Sequence, residues 1–392
     1  MTPVDPDRSV LDLLDLEGQF SGSELEFRDQ IRALVDSRIR PNIAQWFDDA
    51  YFPRDLVPAL GAAGMLGTQL VGYQCPGRSA VEYGLGVMEL EAGDSGIRTF
   101  VSVQGSLAMS AIHKWGSEEQ KSEFLPKMAR GELIGCFGLT EETAGSDPSA
   151  MLTTATRTSD GWVIDGNKRW IGMASIADIA IIWARTPDGI RGFVVSTDTP
   201  GFSATPISSK LSMRASIQCD VVLRDIHVPA DAVLPGATGL RAALACLTEA
   251  RYGIIWGAMG AARDSLEDAT RYALARTQFG RVLAGFQLTQ EKLTNMLIDV
   301  QRGTLLAIHL GRLKDAGELT AAQVSFGKLS NVRDAIAVCR TARTVFGGNG
   351  ISLDHSALRH ANNLESVRTY EGTDEVHTLI VGEAMTGISA FR

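Results

Sequence analysis

The run from Leu364 to His377, which includes Tyr370-Glu371-Gly372-Thr373-Asp374-Glu375, carries the sharpest chemical signal in the chain. Leu364 and Val367 set up an apolar helix face, and the next position on it, four residues on, is Glu371. Gly372 can end that helix in a left-handed turn. Asp374 and Glu375 then suit the first turn of a following helix with an apolar face through Val376, Leu379 and Ile380. A carboxylate at such a junction is partly desolvated, which raises its pKa towards the range useful to a general base. The same position also suits a carboxylate that caps a helix or pairs with an arginine. Arg98 is the second signal, a lone cation in small and apolar surroundings between Gly96 and Ser102. A buried arginine needs an anion, from the protein, with Glu91 seven residues earlier as the candidate, or from a ligand.

Three further segments could hold anions or rings. In Phe346-Gly347-Gly348-Asn349-Gly350 the glycines let backbone N–H groups approach an anion, although an ordinary turn between helices reads the same way. The hydroxyl-rich stretch Gly138 to Asp147 follows a strand and suits a polar ring or a phosphate, or is a polar turn. Arg276-Thr277-Gln278-Phe279-Gly280 pairs a cation with an aromatic ring, suited to a pyrophosphate and a base, or is a solvated helix end. The six histidines show no metal spacing, and His355 and His360 would not share a helix face.

The elements that must position these residues change texture twice. Helical periodicity from about residue 23 gives way at Leu133 to short β-prone segments, including Asp178 to Ala184 and Gly192 to Val195, that suggest a small antiparallel barrel or sandwich. Helical spacing returns from about Leu240, as at Leu293, Met296, Leu297 and Val300. The expectation is an α+β fold with a helical region over 1–134, a β region over 135–238 and a helical bundle over 239–392. With 46 acidic against 37 basic side chains the net charge is −9, which argues against nucleic acid as a partner. Neither GxGxxG after a strand nor GxxxxGK[ST] is present, so a Rossmann site and a P-loop are unsupported. Five scattered cysteines favour a reducing compartment. The start at Met1 to Asp7 lacks signal-peptide and transit-peptide character, so the cytoplasm is expected.

Taken together, the segments resemble the acyl-CoA dehydrogenase family over nearly the whole chain, from about Phe20 onward. Cys136 to Asp147 is similar to its flavin-facing loop, Arg276 to Gly280 to its RxxFG element, Phe346 to Gly350 to FGGNG, and Tyr370 to Thr373 to the catalytic YEGT. Gly138 to Glu141, Ile190 to Phe193, Ala250 to Ile254 and Gly311 to Asp315 resemble the glutaryl-CoA-oxidising branch. The resemblance implies FAD, a homotetramer, a β-barrel or sandwich between a helical domain and a C-terminal four-helix bundle, and electrons passed to an electron-transfer flavoprotein. It makes Glu371 the base that removes the α proton of a thioester, and its backbone N–H, with a ribityl hydroxyl, the donor to the thioester carbonyl.

By the same resemblance Thr140 and Trp170 face the isoalloxazine ring, Ser146 the pyrophosphate, and Thr373 another part of FAD. Arg276, Phe279, Gln287, Gly347 and Gly348 reach the FAD of a neighbouring subunit. Arg98 receives the distal carboxylate of the substrate with Glu91, Ser102 and Tyr370 around it, and Arg251 belongs to the substrate set. A plain acyl chain would then leave Arg98 unpaired. Gly172 departs from the family pattern, which has a threonine whose hydroxyl helps bond flavin N5; here only the backbone N–H serves, which bears on flavin potential and reoxidation. The implied reaction, in amino-acid or aromatic degradation, is glutaryl-CoA to glutaconyl-CoA and, with loss of CO2, crotonyl-CoA. The alternatives are a non-decarboxylating dehydrogenase or an oxidase for another short or carboxylated acyl-CoA, and an acyl-CoA-binding scaffold without turnover.

Overall fold

Four helix starts in this chain are written by short polar motifs. Ser21 with Glu24, Ser79 with Glu82, Ser117 with Gln120 and Thr320 with Gln323 each form a reciprocal capping box, satisfying N–H groups that a helix start leaves free. The computed structural model describes residues 11–391, so the Met1 to Asp7 start lies outside the described residues. Seven helices come first: α1 (Gly22–Leu34), α2 (Ile43–Asp48), α3 (Val57–Ala62), α4 (Ala80–Gly93), α5 (Ser95–Val101), α6 (Ser110–Trp115) and α7 (Glu118–Ala129). Ser102–Met109, between α5 and α6, is π-helical. Helix α4 is buried all round except at Glu82, the mark of a central helix rather than a surface one.

Strands β1 (Gly135–Gly138), β2 (Thr154–Arg157), β3 (Gly161–Gly172), β4 (Ile179–Thr186), β5 (Gly189–Ser196), β6 (Phe202–Pro206) and β7 (Gln218–Pro229) join into one sheet. β1 and β2 follow one another along one side of β4, β5 takes the other side, and β3, β7 and β6 continue outward from β2. The expected antiparallel pairing holds for most neighbours and fails along one side of β4, where Gly135 to Gly138 of β1 run parallel to Ile179 to Ile182 and Thr154 of β2 pairs in parallel with Arg185. The reason is topological: β2 and β3 intervene between β1 and β4, so the chain returns by a crossover instead of a hairpin. β1 is buried along its whole length, as a parallel strand covered on both faces should be.

The last region holds α8 (Leu240–Ala275), the small hairpin β8 (Thr277–Gln278) and β9 (Arg281–Val282), then α9 (Gln287–Asp315), α10 (Ala321–Val345), α11 (Ser356–Val367) and α12 (Asp374–Thr386). The three long helices pack on one another, with α11 and α12 against α10. Helix α8 also lies along α4. There a Cβ on Gly260 would come within 1.9 Å of the Met88 carbonyl oxygen, so only glycine permits the approach. One continuous apolar core runs through all three regions. All five cysteines are free, and among the described residues no helix is long and apolar enough to cross a membrane.

Candidate active site

Helix α11 ends at Val367, a turn earlier than the sequence pattern suggests, and Glu371 therefore does not continue the Leu364/Val367 face. It stands in the turn between α11 and α12 with φ +54°, followed by Gly372 at φ +98°. Thr373 then caps α12, its hydroxyl accepting the Val376 N–H at 3.3 Å. A left-handed glutamate is strained, and the cause of its persistence is visible in the carbonyls around it. Lys328 Nζ, on α10, donates to the Tyr370 oxygen at 2.5 Å and the Gly372 oxygen at 2.7 Å. Arg251 Nε, on α8, donates to the Glu371 oxygen at 2.6 Å. Three consecutive carbonyls that a helix end would give to water are thus held by two cations.

The carboxylate itself is differently placed. Glu371 Oε2 is buried without a hydrogen-bond partner. Burial pushes its pKa up, and the charges of Lys328, Arg98 and Arg251 pull back only part of that rise. Lys328, 1% exposed, is pushed down by burial while the Glu371 carboxylate pulls it up. Beneath the turn lies His377, buried, with both ring nitrogens unpartnered. Burial first, then Lys328 and Arg251, lowers its pKa to about 3, so it is neutral at working pH. Its Nε2 is 2.8 Å from where a Cβ on Gly372 would sit, so sterics and backbone both demand glycine there.

Arg98, on α5, is 0% exposed, and its anion is Glu91. Nε donates to Glu91 Oε2 at 2.6 Å, across the extended backbone of Asp94 that separates α4 from α5. Nη2 donates to the Tyr370 hydroxyl at 2.5 Å, and Thr99 Oγ1 is 3.2 Å from the same hydroxyl. Burial pushes the Tyr370 phenol up to about 12, so it stays protonated. The expectation that a plain acyl chain leaves Arg98 unpaired is therefore corrected: the protein supplies one anion. Three buried polar atoms in this cluster still lack partners, Arg98 Nη1, Glu91 Oε1 and Ser102 Oγ. A Cβ on Gly257 of α8 would fall 2.0 Å from Glu91 Oε2, so the pair fits because that helix is bare at this point.

Around Thr140 the buried Glu141 anchors the loop, accepting from the Leu152 and Thr153 N–H groups at 2.5 and 3.0 Å and from Lys168 Nζ at 2.8 Å. Burial works to raise the Glu141 pKa, and these bonds outweigh it and hold the carboxylate below its usual range. The Arg169 N–H donates to the Thr140 oxygen at 2.9 Å, which brings Trp170 beside that loop. Trp170 sits in a bulge of β3 at φ +63° and is 51% exposed. Gly172 ends the strand; a Cβ there would come within 3.1 Å of a Val103 methyl from the π-helical segment that also carries Ser102. Ser146 is exposed further along the loop.

Arg276, Phe279, Gln287, Gly347 and Gly348 collect at the far end of α8. Phe279 is 95% exposed at φ +50°, and Cβ positions on Gly347 and Gly348 would meet nothing within 4 Å. Tyr272 ties this end together through Phe346, at 5.1 Å between ring centroids, and Asn349, at 3.2 Å. At 1.5 Å per residue, Arg276 lies about 37 Å along α8 from Arg251. The exposed ring beside a hydroxyl loop, and the open glycine turn beside an arginine, suit the two ends of a flavin dinucleotide. Lys328 and Val103 escaped the sequence reading, and His377 entered it only as the end of the Leu364 to His377 run. Lys328 and His377 sit in helices with nothing local to distinguish them from core or surface positions.

Three regions of helix, sheet and helix around a buried glutamate correspond to a known class. Residues 21–132, 136–226 and 237–386 match in turn the N-terminal, middle and C-terminal domains of acyl-CoA dehydrogenase, and the chain belongs to the acyl-CoA dehydrogenase family. Among solved structures it is similar to a glutaryl-CoA dehydrogenase from Mycobacterium smegmatis, at 58% identity and a TM-score of 0.96, covering 97% of this chain and 99% of that one. A glutaryl-CoA dehydrogenase structure from the same organism in complex with FADH2 gives 54% identity, a TM-score of 0.96 and the same coverage. The human mitochondrial short-chain specific acyl-CoA dehydrogenase is 32% identical over 361 residues, 89% of this chain and 87% of that protein.

Proposed function

We propose that this acyl-CoA dehydrogenase uses FAD to oxidise glutaryl-CoA to glutaconyl-CoA and then decarboxylates it to crotonyl-CoA. The observation that carries the reading is the cluster at Arg98, where Arg98 Nη1 and Ser102 Oγ are buried donors without an acceptor, joined through Tyr370 to Glu371. A distal carboxylate on a short acyl chain supplies the missing acceptor in a dry setting, where a charge-assisted bond is strong. The likeness to glutaryl-CoA dehydrogenases at 54% and 58% identity supports the same substrate.

In this reading the N–H of Glu371, which among the described residues has no acceptor, donates to the thioester carbonyl. That lowers the cost of removing the α proton, and the Glu371 carboxylate takes it. FAD, when bound at Thr140, Trp170, Gly172, Ser146 and Thr373, supplies the acceptor for the hydride leaving Cβ. The γ-carboxylate is then vinylogous to the thioester, so CO2 departs and leaves a dienolate. Glu371 returns its proton at the γ carbon, which regenerates the base.

The span of about 37 Å along α8 supports a second subunit as the source of the Arg276, Phe279, Gln287, Gly347 and Gly348 contacts, in a homotetramer. Electrons pass to an electron-transfer flavoprotein in a cytoplasmic setting. A second reading, oxidation of a short acyl-CoA without a carboxylate, draws on the short-chain relative and on the Glu91 partner that Arg98 already has. Enzyme holding FAD, given glutaryl-CoA and an artificial electron acceptor, should form crotonyl-CoA and CO2. Unconsumed glutaryl-CoA alongside oxidised butyryl-CoA would replace the first reading by the second.

A further inference from the structure

The Tyr370 carbonyl and the Glu371 N–H belong to one peptide group, and the buried Lys328 Nζ sits on its oxygen at 2.5 Å. We propose that Lys328 is a positioning residue for catalysis: it fixes the left-handed Glu371 turn and, by polarising the Tyr370–Glu371 peptide, strengthens the N–H that bonds the thioester carbonyl. This rests on the Glu371 reading above.

Two observations carry it. Lys328 bridges the carbonyls on either side of Glu371 while Arg251 takes the one between, so the turn is clamped at three successive peptides from two helices. The Glu371 N–H, at the other end of the clamped peptide, has no acceptor among the described residues and is free for a ligand. Hydrogen bonds in a low-dielectric site polarise one another along a chain, so a cation on the carbonyl increases the partial charge on the N–H hydrogen. The gain is larger when charge develops on the ligand oxygen than in the ground state. A cation placed only to neutralise Glu371 would bond the carboxylate, yet Lys328 bonds the two flanking carbonyls, and Glu371 Oε2 remains unpartnered.

The test uses holoenzyme and two ligands that differ in the thioester carbonyl: crotonyl-CoA, and S-butyl-CoA, a thioether without it. Lys328→Met should retain FAD, weaken crotonyl-CoA binding about tenfold and change S-butyl-CoA binding less than about twofold. Its kcat should fall about 100-fold, within the range for damage to one oxyanion donor, with a smaller change in KM. Lys328→Arg should recover most of both effects. Equal loss on the two ligands, or no loss on either, overturns the proposal. Should Lys328→Met not hold FAD, Lys328→Gln serves: it must show the same selective loss, and wild-type crotonyl-CoA affinity in it would refute the role. Turnover by Glu371→Gln would instead sink the base assignment. An inactive Glu371→Gln together with an unselective Lys328→Met sinks only the Lys328 proposal.

Discussion

At Glu371 the proposed role as base works against stability. Its folded pKa lies above the ordinary 4.5, chiefly through burial, so the folded chain holds the proton more tightly than the unfolded chain. The contribution to stability is then fully present below the unfolded pKa and is lost as pH rises through the folded one. Glu371→Gln should therefore melt about 2 °C higher than wild type at pH 8, keep FAD and fail to bleach it with substrate. The base acts only when ionised, so kcat/KM should fall as pH drops through a limb lying above 4.5. A limb at or below that value would remove the desolvated glutamate from the role. At Arg98 the pair with Glu91 dictates a different experiment. Arg98→Met strands a buried carboxylate and should cost about 3–5 kcal/mol by denaturant unfolding. Adding Glu91→Gln should restore most of that loss without restoring activity on glutaryl-CoA, and recovery of the activity would refute the carboxylate contact.

Among the elements, the end of α11 shows what a sequence does and does not disclose. Gly372 and the acidic first turn of α12 were legible, because glycine at a left-handed position and carboxylates at a helix start are local preferences. The early stop at Val367 was not, because the cations that hold the turn come from Arg251 and Lys328, 120 and 42 residues away from the carbonyls they bond. Arg98 was legible as a cation needing an anion, and its geometry then decided in favour of Glu91 while leaving Nη1 free. The parallel pairing of β1 with β4 could not be read from strand-like segments whose order in the sheet is set by long-range packing. Gly172 was legible as a departure, and a Cβ there would come within 3.1 Å of a Val103 methyl from the π-helical segment. Gly172→Thr should destabilise by about 1–3 kcal/mol through overpacking, and Val103→Ala should relieve it in a double-mutant cycle. Purely additive losses would mean that the contact does not set the residue at 172.

On the scale of the whole molecule, one core joins three regions, and the site lies where α4, α5, α8 and α10 bring Glu91, Arg98, Arg251, Lys328 and Glu371 together. The net charge of −9 says nothing of an anionic substrate; that expectation comes from a handful of buried atoms. The central claim, a carboxylated thioester oxidised and decarboxylated at Glu371, is tested most directly by anaerobic titration of the holoenzyme with glutaryl-CoA, following flavin absorbance and CO2 together. Bleaching that saturates at about one equivalent per flavin, with CO2 released in step, is the result predicted by two-electron oxidation followed by decarboxylation. A flavin that stays oxidised with glutaryl-CoA and bleaches with butyryl-CoA, or one that bleaches without CO2, would contradict it.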